Sequence, residues 1–170
     1  MPRPPRTASA KRQAFNVLGI DPGTQRIGYG IVRCEGSRVE LLDAGILTIR
    51  EKGQGALSET KRDIDRLIKK FKPQCMALEK IFFTKNQKTA IAVAHARGVI
   101  VLAALEAGLT VHEYTPSEVK RAVAGYGSAD KKAVAKMVRF ILKEPSLSVI
   151  DDASDALALA LLGARERKTR

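Results

Sequence analysis

Three consecutive β-like runs open this chain before any helical spacing appears, and that order limits the fold more than any other feature. Phe15 to Asp21 is apolar and stops at Pro22-Gly23, while Ile27 to Arg33 resumes with small and β-branched residues. A strand, a Pro-Gly turn and a second strand predict a hairpin through Asp21-Pro-Gly-Thr-Gln. Val39 to Ile49 reads as a third strand, interrupted at Asp43-Ala-Gly45. From Leu57 the apolar positions switch to helical spacing at Ile64, Leu67, Ile68 and Phe71, and Lys72-Pro73 stops that helix. Cys75 to Glu79 is a short buried strand and Val111 to Tyr114 another; between them Thr89 to Ala107 is a helix apolar nearly all round. Helices follow from Thr115-Pro116-Ser117-Glu118, from Lys131 to Leu142 behind an Asp130 cap, and from about Asp151 to Glu166. Strands first and alternation afterwards predict an α/β fold, a mixed β-sheet flanked by α-helices.

Four carboxylates stand out against this pattern: Asp21, Glu79, Asp152 and Asp155. The first two end apolar strands, and the other two share one side of the last helix. Taken singly, Asp21 reads as a turn former, Glu79 as half of a salt bridge with Lys80, and Asp151 or Asp152 as a helix cap. Asp155, one turn into an Ala/Leu-rich helix, is not explained by capping. Spacing alone leaves Asp151 competing with Asp152. The chain carries 30 Lys+Arg against 18 Asp+Glu, a formal charge of +12, which suits a polyanionic partner. Bare carboxylates repel phosphate, and divalent metal removes the conflict, because carboxylate-held Mg2+ clamps the oxygens of a phosphodiester. The expectation is a metal-dependent nuclease.

The blocks Leu18-Gly-Ile-Asp21-Pro-Gly-Thr-Gln-Arg-Ile-Gly-Tyr-Gly, Leu78-Glu79-Lys-Ile-Phe82, Ala96-Arg97-Gly98, Val119-Lys120, Gly125-Tyr-Gly-Ser-Ala-Asp-Lys131 and Asp152-Ala-Ser-Asp155-Ala-Leu-Ala follow one another in order. Together they resemble the RuvC family of bacterial Holliday-junction resolvases, over roughly residues 15 to 165. The resemblance implies a ribonuclease H-like fold and a homodimer that cuts four-way DNA junctions by paired, symmetric nicks with ligatable ends. It implies catalytic, metal-holding carboxylates at Asp21, Glu79, Asp152 and Asp155, which selects Asp152 over Asp151. Two Mg2+ ions per site are implied, with Mn2+ as a substitute. Phe82 matches the family's aromatic after the second acid, and Lys120 and Lys131 match its DNA-contacting lysines. A branch-migration motor complex is a further partner of the family.

Residues 1–14 carry Arg3, Arg6, Lys11 and Arg12 with no acid and three prolines, and read as a disordered basic arm before a single nuclease domain over 15–166 and a basic tail over 167–170. The resemblance does not cover the arm. Cys34 and Cys75 lack paired spacing and read as ordinary half-buried residues of a reduced, cytoplasmic protein, a bacterial one as the resemblance implies. Gly98 to Leu105 is too short to span a bilayer. Ser117-Glu-Val-Lys120 matches a lactamase-type S-x-x-K pattern by chance and reads as a helix N-cap followed by a DNA-facing lysine. His95 and His112 have no partner at ligand spacing. Rival readings are an actin-like ATPase, which needs a second phosphate loop and about twice the length, a branched-DNA-binding protein that does not cut, and a resolvase-like nuclease that processes ribosomal RNA. The apolar circumference of the helix from Thr89 to Ala107 calls for a second apolar partner, the expected dimer interface.

Overall fold

The computed structural model describes residues 13–80, 87–148 and 151–169, so Phe82 and nearly all of the N-terminal arm lie outside the described residues. The elements run β1 (Phe15–Asp21), β2 (Arg26–Glu35), β3 (Arg38–Thr48), α1 (Gln54–Phe71), β4 (Cys75–Glu79), α2 (Gln87–Glu106), β5 (Thr110–Tyr114), α3 (Pro116–Ala124), α4 (Lys131–Leu142) and α5 (Asp151–Thr169). The strands form one mixed sheet in the order β3-β2-β1-β4-β5. The first three pair antiparallel, and β4 and β5 add in parallel to the β1 edge. β3 is continuous where an interruption at Asp43 was expected. The irregularity is a bulge: Ile31 faces Asp43 and Val32 faces Leu41, leaving Leu42 unpaired.

Strand alternation divides the core into two layers. Leu18, Ile20, Ile31, Met76 and Leu78 meet Ile64 and Leu67 of α1 and Ile100, Ala103 and Ala104 of α2 on one face. Val17, Val32, Cys75 and Ala77 meet α3, α4 and α5 on the other. Both cysteines are 0% exposed, more deeply buried than their sequence context suggested, because each holds an inward strand position. The helix that is buried nearly all round is α5, sandwiched between the sheet and α3 with α4. Among the described residues only one side of α2 is covered, and Ile91, Leu102 and Leu105 are exposed.

Local chemistry sets the helix ends near the site. Thr115, not Ser117, caps α3: its hydroxyl accepts from the Glu118 amide at 3.2 Å, while the Glu118 carboxylate accepts from the Thr115 amide at 2.7 Å. The first residue able to close that reciprocal pair with a Glu three positions on is Thr115, and Ser117 falls inside the helix. Asp130 caps α4 as expected, accepting from the Ala133 amide at 2.7 Å.

The seating of α5 depends on glycine. Gly19 of β1 pairs with Gly30 of β2, and Asp21 with Gly28. A Cβ at Gly19 would fall on the Ala156 carbonyl oxygen and lie 2.6 Å from the Ala160 amide nitrogen. One at Gly30 would lie 2.7 Å from Leu157 Cδ2, and one at Gly28 would strike the Asp152 backbone. Because the obstructing atoms are largely backbone, the helix itself must move to admit a methyl group. Gly19→Ala is therefore expected to destabilise the protein by about 1–3 kcal/mol, the usual cost of overpacking, measured as a lowered urea midpoint. An unchanged midpoint would show that α5 is not held at this distance.

Candidate active site

Parity places the strand carboxylates. Asp21 follows Val17 and Gly19 on the α5 side of β1, and Glu79 follows Cys75 and Ala77 on the same side of β4. Ile20 is level with Leu78 across the parallel pair, so the two acids end neighbouring strands at one end of the sheet. The helical acids arrive from above. The backbone of Asp152 lies against Gly28, the partner of Asp21, and Asp155 follows one turn later.

Asp21, Glu79 and Asp155 line one cavity of about 220 Å3 together with Lys120, Lys131, Pro116, Val119, Val134 and Leu159. Five of the seven sequence-predicted residues thus meet in one place. Asp152 does not line the cavity, although its charge acts on Asp21, and Phe82 lies outside the described residues. Lys131 Nζ donates to Asp155 Oδ2 at 3.3 Å. Arg26, which sequence reading did not single out, donates through Nε to Asp152 Oδ2 at 3.1 Å. The missed signal was its position: it opens β2 directly after the Pro-Gly turn that follows Asp21. His95 is exposed and His112 lies beside Tyr114 on β5, so neither joins the cavity.

The electrostatics of the cluster are unfavourable without added positive charge. Burial, then Glu79, Asp155 and Asp152, raise the Asp21 carboxyl to about 7, with Lys131 pulling the other way. Burial and Asp155 also push Glu79 up, again opposed by Lys131. Lys131 is itself raised, chiefly by Asp155. Among the described residues no three carboxylate, imidazole or thiol groups converge closely enough to hold a metal ion as they stand. Arg26 and Lys131 occupy the two helical aspartates instead. The donor set nevertheless fits a hard divalent cation: all-oxygen, acidic, and held at a charge that neutral pH does not sustain by itself.

A nuclease-like α/β domain with an acidic cleft at the carboxyl ends of its parallel strands is the class that fold and site define. The crossover junction endodeoxyribonuclease RuvC family model matches residues 17–162. A curated relative of that name from Ruminiclostridium cellulolyticum is 44% identical over 147 residues, covering 85% of this chain and 89% of the relative. The solved structure described as Thermus thermophilus RuvC superposes with a TM-score of 0.83 at 34% identity, covering 91% of this chain and 96% of that one. The same protein in complex with Holliday junction substrate gives 0.84 at 33% identity, with the same coverage. This chain belongs to the RuvC family, and its sheet is the ribonuclease H-like one. Membership in a family of metal-dependent endodeoxyribonucleases removes the ATPase, ribosomal-RNA and non-cutting readings.

The raised Asp21 carboxyl has a consequence for stability. Its folded value, about 7, lies above the unfolded value of about 4. Below pH 4 both states are protonated and nothing is lost. Between 4 and 7 the folded state holds the extra proton, so stability falls as pH rises, and the full penalty is present above 7. In chelator, Asp21→Asn is expected to stabilise the protein at pH 8 and to do so far less at pH 4.5, read from thermal unfolding at both. Equal effects at the two pH values would contradict the buried, mutually repelling cluster.

Proposed function

We propose that Asp21, Glu79, Asp152 and Asp155 are the catalytic carboxylates of a structure-selective endonuclease that resolves four-way DNA junctions. The convergence of three of them with two lysines in one cleft carries this reading. The four would hold divalent metal, two Mg2+ ions with Mn2+ as a substitute, and the bound metal would activate water and stabilise the departing oxygen of the scissile phosphate. Arg26 and Lys131, which pair with Asp152 and Asp155 here, would be freed for phosphate where metal took their place. Lys120 and Lys131 then face phosphate. A water oxygen bonds to phosphorus as the P–O3′ bond breaks, leaving a 5′-phosphate and a 3′-hydroxyl that a ligase can rejoin. Phe82, the aromatic that follows the second acid in sequence, would stack on an exposed base.

A synthetic four-way junction and a matched duplex, each incubated with and without Mg2+, test this function. Paired nicks only in the junction and only with metal are expected. Asp155→Asn should lower the nicking rate by at least about 100-fold, the scale of losing one key electrostatic group, while junction affinity stays within a few fold. Loss of binding in step with cleavage would make the aspartate structural.

Paired nicking calls for a two-fold dimer, and α2 supplies the surface. Ile91, Leu102 and Leu105 are 61%, 51% and 58% exposed. With His95 and Gly98, also exposed, they recur at alternating spacings of four and three, the seam of packed helices. A Cβ on Gly98 would touch nothing within 4 Å, so nothing among the described residues requires a glycine there. Glycine inside a helix costs about 1 kcal/mol relative to alanine, and the close approach of a second α2 accounts for it. Sedimentation should give about twice 18.5 kDa for the native chain and a single-subunit mass for Leu102→Glu/Leu105→Glu. A native monomer that still made paired nicks would end the dimer proposal.

A further inference from the structure

Phe140 is 75% exposed, the most exposed large apolar side chain among the described residues, and it stands on a helix without a single acid. Val134, Val138 and Leu142 seat α4 against the core. The opposite ridge is Lys132, Lys136 and Phe140, four residues apart, and Lys143 follows. Like charges at that spacing repel. Among the described residues none of the three lysines has an ion-pair partner, although Lys61, Lys70 and Lys131 all do. A ridge kept basic at its own expense and ending in a bare aromatic ring needs a polyanion with apolar intervals. The DNA backbone has both, in its phosphates and deoxyriboses.

We infer that the outer ridge of α4 is a second DNA-binding track, which carries one duplex arm away from the cutting site. The inference rests on the nuclease reading for the identity of the polyanion. Continuity supports it: the first turn of α4 supplies Lys131 and Val134 to the carboxylate cavity, so the ridge begins where the scissile phosphate would lie. Twelve residues rise about 18 Å at about 1.5 Å each, and with about 3.4 Å of duplex per base pair the ridge spans about five base pairs. Lys132 and Lys136 take phosphates, and Phe140 rests on the sugar edge at the far end.

The test is the salt dependence of junction binding without added metal, comparing the native chain with Lys132→Gln/Lys136→Gln and with Phe140→Ser. The double variant should flatten the slope of log affinity against log salt by about 1.8, at about 0.9 per phosphate contact. Phe140→Ser should weaken binding several fold with the slope unchanged. Uncharged methylphosphonate linkages placed one to five base pairs from the cut should weaken the native protein and leave the double variant less affected. An unchanged slope, or equal losses for both proteins at every linkage, would overturn the track. All three substitutions are on exposed positions, and matching thermal unfolding curves establish that folding is intact. Absence of Mg2+-dependent nicking by the native chain would defeat the nuclease reading, and the slope would still decide this one.

Discussion

The contact between α5 and the glycine pair of β1 and β2 sets every other distance in the site. Side chains normally keep stacked layers well apart, about 10 Å between two sheets, and a helix held off by full-sized side chains would leave short aspartates on the two layers too far apart to meet. With Gly19, Gly28 and Gly30 beneath it and Ala153, Ala156 and Ala160 on its own surface, the helix backbone comes down onto the strands. Asp152 and Asp155 are thereby carried to Asp21 and Glu79 by main-chain geometry, with no long side chain to reach across. Glycine within strands gives up packing and order, and here the loss is offset by the closeness of the helix.

That closeness creates an electrostatic problem as it builds the site. Burial and the neighbouring acids raise the proton affinity of Asp21 and Glu79, and Asp21 has the charges of the other three around it. Arg26 and Lys131 pair with the outer two acids, and both cations are more than half exposed in their side chains, so neither pair is locked in the core. The fold thus stores an unfavourable charge distribution, which a divalent cation would relieve if the proposed catalytic role holds.

Much of this was legible in the sequence because it follows from short-range rules. Strand ends at Asp21 and Glu79, the three-residue step from Asp152 to Asp155 and the Asp130 cap all depend on neighbours in the chain. Long-range pairing was not legible. Nothing local to Arg26 names Asp152, 126 positions away. The extent of burial was legible only in part: the apolar circumference of α2 called for a second partner and its Ile91, Leu102 and Leu105 are indeed exposed, whereas the central helix is α5, whose charged end masks its burial when averaged over the sequence. Asp43 suggested a broken strand, but its place opposite Ile31 lets the strand continue past the bulge. The choice of Asp152 over Asp151 came from the resemblance alone, and spacing left both open.

The two layers of the core separate assembly from chemistry. Residues that bury α2 belong to the cluster on one face of the sheet, and those that bury α5 belong to the other. Pairing through the exposed stripe of α2 therefore leaves both carboxylate clefts uncovered, as an enzyme acting on a two-fold junction requires. The faces are also close in the chain: β4 ends at Glu79 and α2 begins at Gln87. A segment of seven residues, 80–86, links a site carboxylate to the first turn of the proposed seam. If two subunits pair through α2, each carboxylate cleft is tied to its own α2 through the shared sheet, so the helix crossing would set the spacing of the two clefts.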